Sequence, residues 1–293
     1  MKQQSTFRRI FPWLIYPMSW LVLFGFLAAT DHGALAPDKA YGFFLGTMVI
    51  AYLLLEHFLP YEKRWAMTWR SFFNDLKYLV VNGATVNLIT TLLALYTISV
   101  SSNFNGVASA WPFWLQMIAI MLIFEALNYS IHRIMHEAHG KVGRFLWRIH
   151  AAHHLPEKVY LFMHVAGHPI NVVIVQAIMT ITPIWLMGYD QQVVALFMMI
   201  NTLHGLISHF NVDVRMGFMN YIFVGPELHR YHHSAKLSEA KNFGATLSIY
   251  DQLFGTFVYK PNIVPDKLGV DKPENYPEYG NIWGVLKLPF KRR

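Results

Sequence analysis

Apolar positions along this chain gather into long runs, not into the alternating or one-sided stripes of a soluble domain. Six runs are long enough, at about 20 residues each, to cross a hydrocarbon core as helices. They lie near residues 10–30, 41–60, 78–100, 111–131, 168–188 and 191–209. The last two, joined near Gly188-Tyr189-Asp190, read as a helical hairpin. The fourth runs into polar sequence without a Gly or Pro break, so one helix is expected to continue out of the bilayer. Pro156 should close the helix after it. Residues 211–293 are more polar. Pro261, Pro265, Pro273 and Pro277 oppose long helices there, so a cap with short helices and a loose tail is expected. The predicted fold is an all-α integral membrane protein: four spans plus a hairpin, with a cytoplasmic helical cap. Its parts are N-terminal transmembrane segments over 1–110, a catalytic region over 111–257 and a cytoplasmic tail over 258–293.

Charge fixes the expected orientation. Lys2, Arg8 and Arg9 precede the first run, and Lys63, Arg64, Arg70 and Lys77 follow the second, whereas 101–110 carries no charge. Under the positive-inside rule the N-terminus and everything after the fourth crossing are cytoplasmic. The first run also has small residues suited to signal-peptide cleavage (Phe26-Leu-Ala-Ala and Ala34-Leu-Ala36), but its removal would spoil this agreement. Composition is consistent: 54% hydrophobic, 14% charged and a mean hydropathy of +0.30, against about 25% charge in soluble domains. The net charge of +7 flanks apolar runs, which points to anionic lipid and not to nucleic acid. There is no cysteine, which excludes thiolate metal sites, disulfides and a cysteine nucleophile.

Eight of the 15 histidines fall in three short strings: His132 and His136; His150, His153 and His154; His229, His232 and His233. Residues three and four apart share a helix face, so each string can converge on a point. Neutral imidazole is a common metal ligand, and eight are too many for one ion. Two ions with open positions would absorb eight to ten nitrogens, with His209 and His204 at the end of the sixth run as the further donors. Ligand softness leaves iron, zinc, copper, manganese or nickel open. Glu125, acidic within an apolar run, is expected to orient a ligand imidazole. His164 and His168 are expected at the substrate entrance or behind the ligands. No GxSxG, GxGxxG or P-loop string occurs, so reducing equivalents must come from a separate protein. A non-redox metal-binding membrane protein, such as a transporter or sensor, is the alternative. A transporter, however, would place its ligands at the bilayer midplane.

Several strings resemble the fatty acid hydroxylase superfamily, also called the sterol desaturase family. They are Glu125-xxx-Tyr129-xx-His132-Arg133-xx-His136, Leu146-Trp147-Arg148-Ile-His150-xx-His153-His154, His209-Phe-Asn211, His229-Arg-Tyr-His232-His233-Ser234, Asn242-Phe-Gly244 and Tyr250-Asp251-Gln-Leu-Phe254-Gly255-Thr256. The resemblance implies a dimetal centre, two irons with zinc a possible substitute, under a helical cap. It implies O2 as co-substrate, a bilayer lipid such as a fatty acyl chain or sterol as substrate, and hydroxylation or desaturation as the reaction. A ferredoxin- or cytochrome b5-type donor with its reductase would supply electrons. The ligands it implies are His132, His136, His150, His153, His154, His204, His209, His229, His232 and His233, supported by Asn211 and Asp251. Leu155 and Ala166 depart from the family pattern, which often has Ser or Thr at the first position and Arg at the second.

Overall fold

The computed structural model describes residues 6–100, 106–176 and 186–291. Ten helices carry the fold: α1 (Thr6–Asp31), α2 (Pro37–Phe58), α3 (Trp69–Val100), α4 (Phe113–Glu137), α5 (Gly140–His154), α6 (Pro169–Gln176), α7 (Gln191–Ser208), α8 (Pro226–His232), α9 (Ile249–Leu253) and α10 (Ile282–Lys287). Among the described residues no strand forms, only three isolated antiparallel bridges such as Pro60 to Val212. Among the described residues four helices are long and apolar enough to cross a membrane: Arg8–Asp31, Lys39–Phe58, Phe113–Glu137 and Gln191–Ser208. The third expected span, 78–100, is part of α3 but is not among the four. Residues 177–185 of the fifth, 168–188, lie outside the described residues, as do 1–5, 101–105 and Arg292-Arg293. Its described start is the eight-residue α6.

One end of the molecule collects the chemistry, because of how the helices alternate. α1 and α3 start there, and α2, α4 and α7 finish there. At the opposite end the turns before α4 and α7 touch. Gly188 has φ +64, and a Cβ on Gly106 would lie 2.3 Å from its nitrogen, so only glycine permits the approach. Gln116 and Asp190 exchange two hydrogen bonds across the same contact (3.0 and 2.8 Å). Phe124 and Phe197 then meet edge-to-face along α4 and α7. α1, α2 and α7 share a second core around Leu23, Phe44, Met48, Leu203 and Phe210. Outward faces stay apolar: Leu21, Ile50 and Ile118 are all exposed, as expected of helices whose solvent is lipid.

At the site end, polar side chains pin the loops. Glu56, near the end of α2, accepts from the backbone N–H groups of both Leu161 (2.6 Å) and Asn211 (2.7 Å). Asp75 on α3 accepts from the Tyr160 hydroxyl at 2.6 Å and from Tyr279. Residues 258–291, expected as a loose tail, pack back on the helices. Tyr279 stacks on Tyr78, and Gly269 N–H donates to His233 O at 2.9 Å.

Candidate metal centre

Nine histidines from four stretches of chain meet in two groups. His132, His136, His150, His154 and His232 form one, and His153, His209, His229 and His233 the other. The helices explain the sorting. α4 presents 132 and 136 one turn apart. α5 presents 150 and 154 to the first group and 153, rotated away on the helix, to the second. α8 repeats the device, sending 232 one way and 229 and 233 the other.

Within each group the Nε2 atoms face one another. His132 and His154 each lie 3.0 Å from His150. His209 is 3.1 Å from His153 and 3.0 Å from His229, which is 3.1 Å from His233. The far nitrogens decide what these contacts mean. His153 Nδ1 lies 3.0 Å from Ala166 O, and His209 Nδ1 lies 3.0 Å from Gly205 O. A carbonyl only accepts, so both Nδ1 atoms carry the proton. Burial pushes His153 down to about 3 and His209 well below its ordinary value, so both rings are neutral at pH 7. Their Nε2 atoms therefore point lone pair at lone pair, which is repulsive unless a cation lies between. His132 Nδ1 (to Phe243 O, 2.7 Å) and His232 Nδ1 (to Lys241 O, 3.1 Å) are fixed in the same way, and the Nε2 atoms of His136 and His232 are buried with no partner.

The spacing fits a metal of high coordination number. Metal–nitrogen bonds of about 2.1 Å give neighbouring nitrogens a separation of about 3.0 Å at right angles and about 3.4 Å at the tetrahedral angle. The observed 3.0–3.1 Å matches the first. Five donors in one group also exceed a tetrahedral set. All-imidazole sets suit iron, zinc, copper or nickel.

The structure does not bring His204 to either group. Its Nδ1 donates to Val224 O (2.8 Å) and its ring stacks on Phe223, so this expected ligand is a core histidine of α7. His168 is buried, and donates from Nε2 to Leu286 O (3.2 Å) while its Nδ1 accepts from Ile170 N–H (3.1 Å). It ties α6 to α10 and does not line an entrance. His164 does reach the centre's edge: its Nδ1 lies 3.1 Å from His209 Nδ1 and its ring packs over Gly205. Glu125 touches no imidazole. It accepts from the N–H groups of Ala245, Thr246 and Leu247 at 2.6–2.9 Å, and so anchors the loop that receives His132. Asp251 holds the same loop, accepting from Phe243 and Gly244 N–H at 2.8 Å and from Thr256. Asn211 exchanges hydrogen bonds with the Glu62 backbone, fixing the chain beyond His209. The sequence reading missed Glu56 and Arg230. Buried Arg230 donates to Phe210 O (3.0 Å) and Val212 O (2.8 Å) and lies over the Tyr61 ring. Glu56 carried the same signal as Glu125, an acid within an apolar run. The carbonyls that receive Nδ1 protons have no signature in side-chain identity.

Residues 117–256, which contain the whole centre, match the family model for fatty acid hydroxylase. The chain is also 30% identical over 236 residues, 78% of its length and 69% of the other's, to an ornithine lipid hydroxylase, OlsE, of Rhizobium tropici. The chain belongs to the fatty acid hydroxylase family. A very-long-chain aldehyde decarbonylase of Oryza sativa is 23% identical, covering 79% of this chain and 90% of that protein. An alkylglycerol monooxygenase of Xenopus tropicalis is 26% identical over 51% of this chain and 31% of its own length. No solved structure matches. Family membership makes the chain an oxidoreductase of lipid metabolism, with apolar helices for a membrane and histidine clusters for metal.

Proposed function

We propose that this protein is a membrane-bound, O2-dependent dimetal oxygenase that hydroxylates a bilayer lipid with two iron ions. One observation carries the reading: neutral, buried imidazoles held with their lone pairs facing at 3.0–3.1 Å, a repulsive arrangement that a cation turns into a stable one. Sets of five and four nitrogens would hold an ion of higher coordination number without filling it, whereas a closed structural site would be filled. The metals, when bound, supply activation of O2 and attack on an unactivated C–H bond. The chain orients the ligands through fixed Nδ1–H donors, keeps the rings neutral by burial, and excludes bulk water. Overall, RH + O2 + two electrons + two protons gives ROH + H2O. Zinc is expected as a substitute in protein purified from iron-poor cells.

Two relatives are named for inserting oxygen into lipids, which favours hydroxylation over desaturation. The rival, a transporter or metal sensor, would keep its ligands at the midplane of broken helices. Here they lie at helix ends and in the segments beyond, where a lipid leaving the bilayer sideways meets them. With the charge count, this supports a cytoplasmic placement of the N-terminus, the centre and the C-terminus.

Membranes containing the iron-loaded protein, a bacterial lipid extract and a reduced donor should be supplied with isotopically labelled O2. A lipid carrying one labelled oxygen, absent with His153→Ala, is the expected result. Metal bound without any O2 consumption would move the assignment to the non-redox rival.

A further inference from the structure

The basic residues of α5 have a job the metal site does not use. At 100° per residue, His150 and His154 lie within about 40° of each other on the helix, and Trp147 is next to them. Arg144, Arg148 and Lys141 follow at about 60–120° beyond Trp147. Trp147 thus occupies the seam between the buried histidines and a basic surface. Its ring centroid is 5.0 Å from that of His136 and 5.6 Å from that of His154, both in the five-histidine group. Among the described residues it is the one Trp or Tyr ring in contact with either group. On its outer side the indole N–H donates to the Tyr276 hydroxyl at 2.6 Å. Both side chains are half-buried, so the pair bridges surface and centre.

The surface around the pair is charged and unpaired. Lys141, Arg144 and Lys291 are exposed and form no ion pair among the described residues, and Arg148 donates to Lys291 O at 2.7 Å. Glu137, one turn after Arg133 at the end of α4, already pairs with Arg133 and Lys241. Glu278 faces Arg70, while Glu274 is exposed beside Tyr276. Four basic residues on one surface with no ion-pair partner among the described residues leave it positively charged, which favours encounter with an acidic partner.

We infer that Trp147 and Tyr276 are the route by which electrons enter the centre, and that Lys141, Arg144, Arg148 and Lys291 form the dock for a small acidic one-electron carrier protein. This rests on the oxygenase reading above. Each reduced carrier gives up one electron and leaves oxidised by one. Two of them supply the pair that, with two protons, reduces one atom of O2 to water while the other enters the lipid.

The test uses iron-loaded protein in nanodiscs, checked first for metal content. Reduction of the iron is followed by stopped-flow with a photoreduced plant-type [2Fe–2S] ferredoxin, and with reduced methyl viologen as a reference that needs no dock. In Trp147→Leu the fast phase with ferredoxin should be lost at full iron content; Trp147→Phe, which keeps a ring, should retain part of it. Lys141→Glu with Arg144→Glu should weaken ferredoxin binding about tenfold and flatten its salt dependence, lowering the ferredoxin-to-viologen rate ratio. Unchanged reduction in Trp147→Leu would overturn the route. Charge reversal that spares ferredoxin but releases the cap from anionic vesicles would make the stripe a membrane contact. Absence of reducible metal in the unmodified protein would instead sink the oxygenase reading itself.

Discussion

The two histidine groups share one set of helices yet are held differently. In the five-histidine group, His132 and His232 lean on one loop, 241–243, which Asp251 fastens at Phe243 and Gly244 and Glu125 fastens just beyond, at 245–247. In the four-histidine group, His153 and His209 lean on separate carbonyls, Ala166 and Gly205, while the Nδ1 atoms of His229 and His233 have no partner. The first group is tightly braced and nearly full. The second has one donor fewer, a looser brace and His164 at its edge. Such asymmetry suits a pair of ions of which one is anchored and the other keeps more room for reactants.

Removing a ligand from the sparser group should have the largest effect. His153→Ala should abolish turnover and lower the metal content from about two ions to about one per chain, with the protein still folded in membrane. His154→Ala, which leaves four donors in the fuller group, should retain more metal by elemental analysis. Equal losses would erase the distinction.

Next comes the brace. Glu125→Ala leaves three backbone N–H groups without an acceptor, at about 1–3 kcal/mol for each group left unsatisfied. Thermal unfolding should move down by several degrees, and metal should leave the five-histidine group first. Asp251→Asn keeps the shape but weakens the hold on Phe243. Metal affinity of that group should fall about tenfold, the low end for a lost outer hydrogen bond.

Acid should act on the metal-free protein. In the unfolded chain a histidine protonates near pH 6.5; in the folded chain burial holds His153 down to about 3 and depresses His150, His154, His209, His229, His232 and His233 as well. Below pH 6.5 the unfolded state therefore binds more protons, and stability falls as pH falls. Thermal denaturation of stripped protein should show a steep decline from pH 6.5 to 5, and metal should shift it to lower pH. A flat profile would mean the rings are not held neutral. The smallest effect is expected from His204→Phe, which sits in an aromatic core: metal content should stay at the unmodified level.

Much of this was legible in the sequence because histidine spacing and apolar run length are local properties. The clusters at 132–136, 150–154 and 229–233 all reach the centre, but the second and third, expected to converge on one point each, divide between the two groups. His204 stands only five residues before His209, but at 100° per residue that spacing turns the two about 140° apart, and only His209 joins a group. What was not legible is the bracing. It depends on backbone carbonyls at Ala166, Gly205, Lys241 and Phe243, and on loops brought in from far along the chain. Glu125 stands out in the sequence as an acid within an apolar run, but its partners are three backbone amides and no imidazole.

The central claim is that two redox-active ions fill the two groups. Protein purified anaerobically from iron-supplemented cells should be analysed for metal per chain and by Mössbauer spectroscopy. About two irons, magnetically coupled, is the predicted result. One metal or none, or two zincs that iron cannot replace, would contradict it.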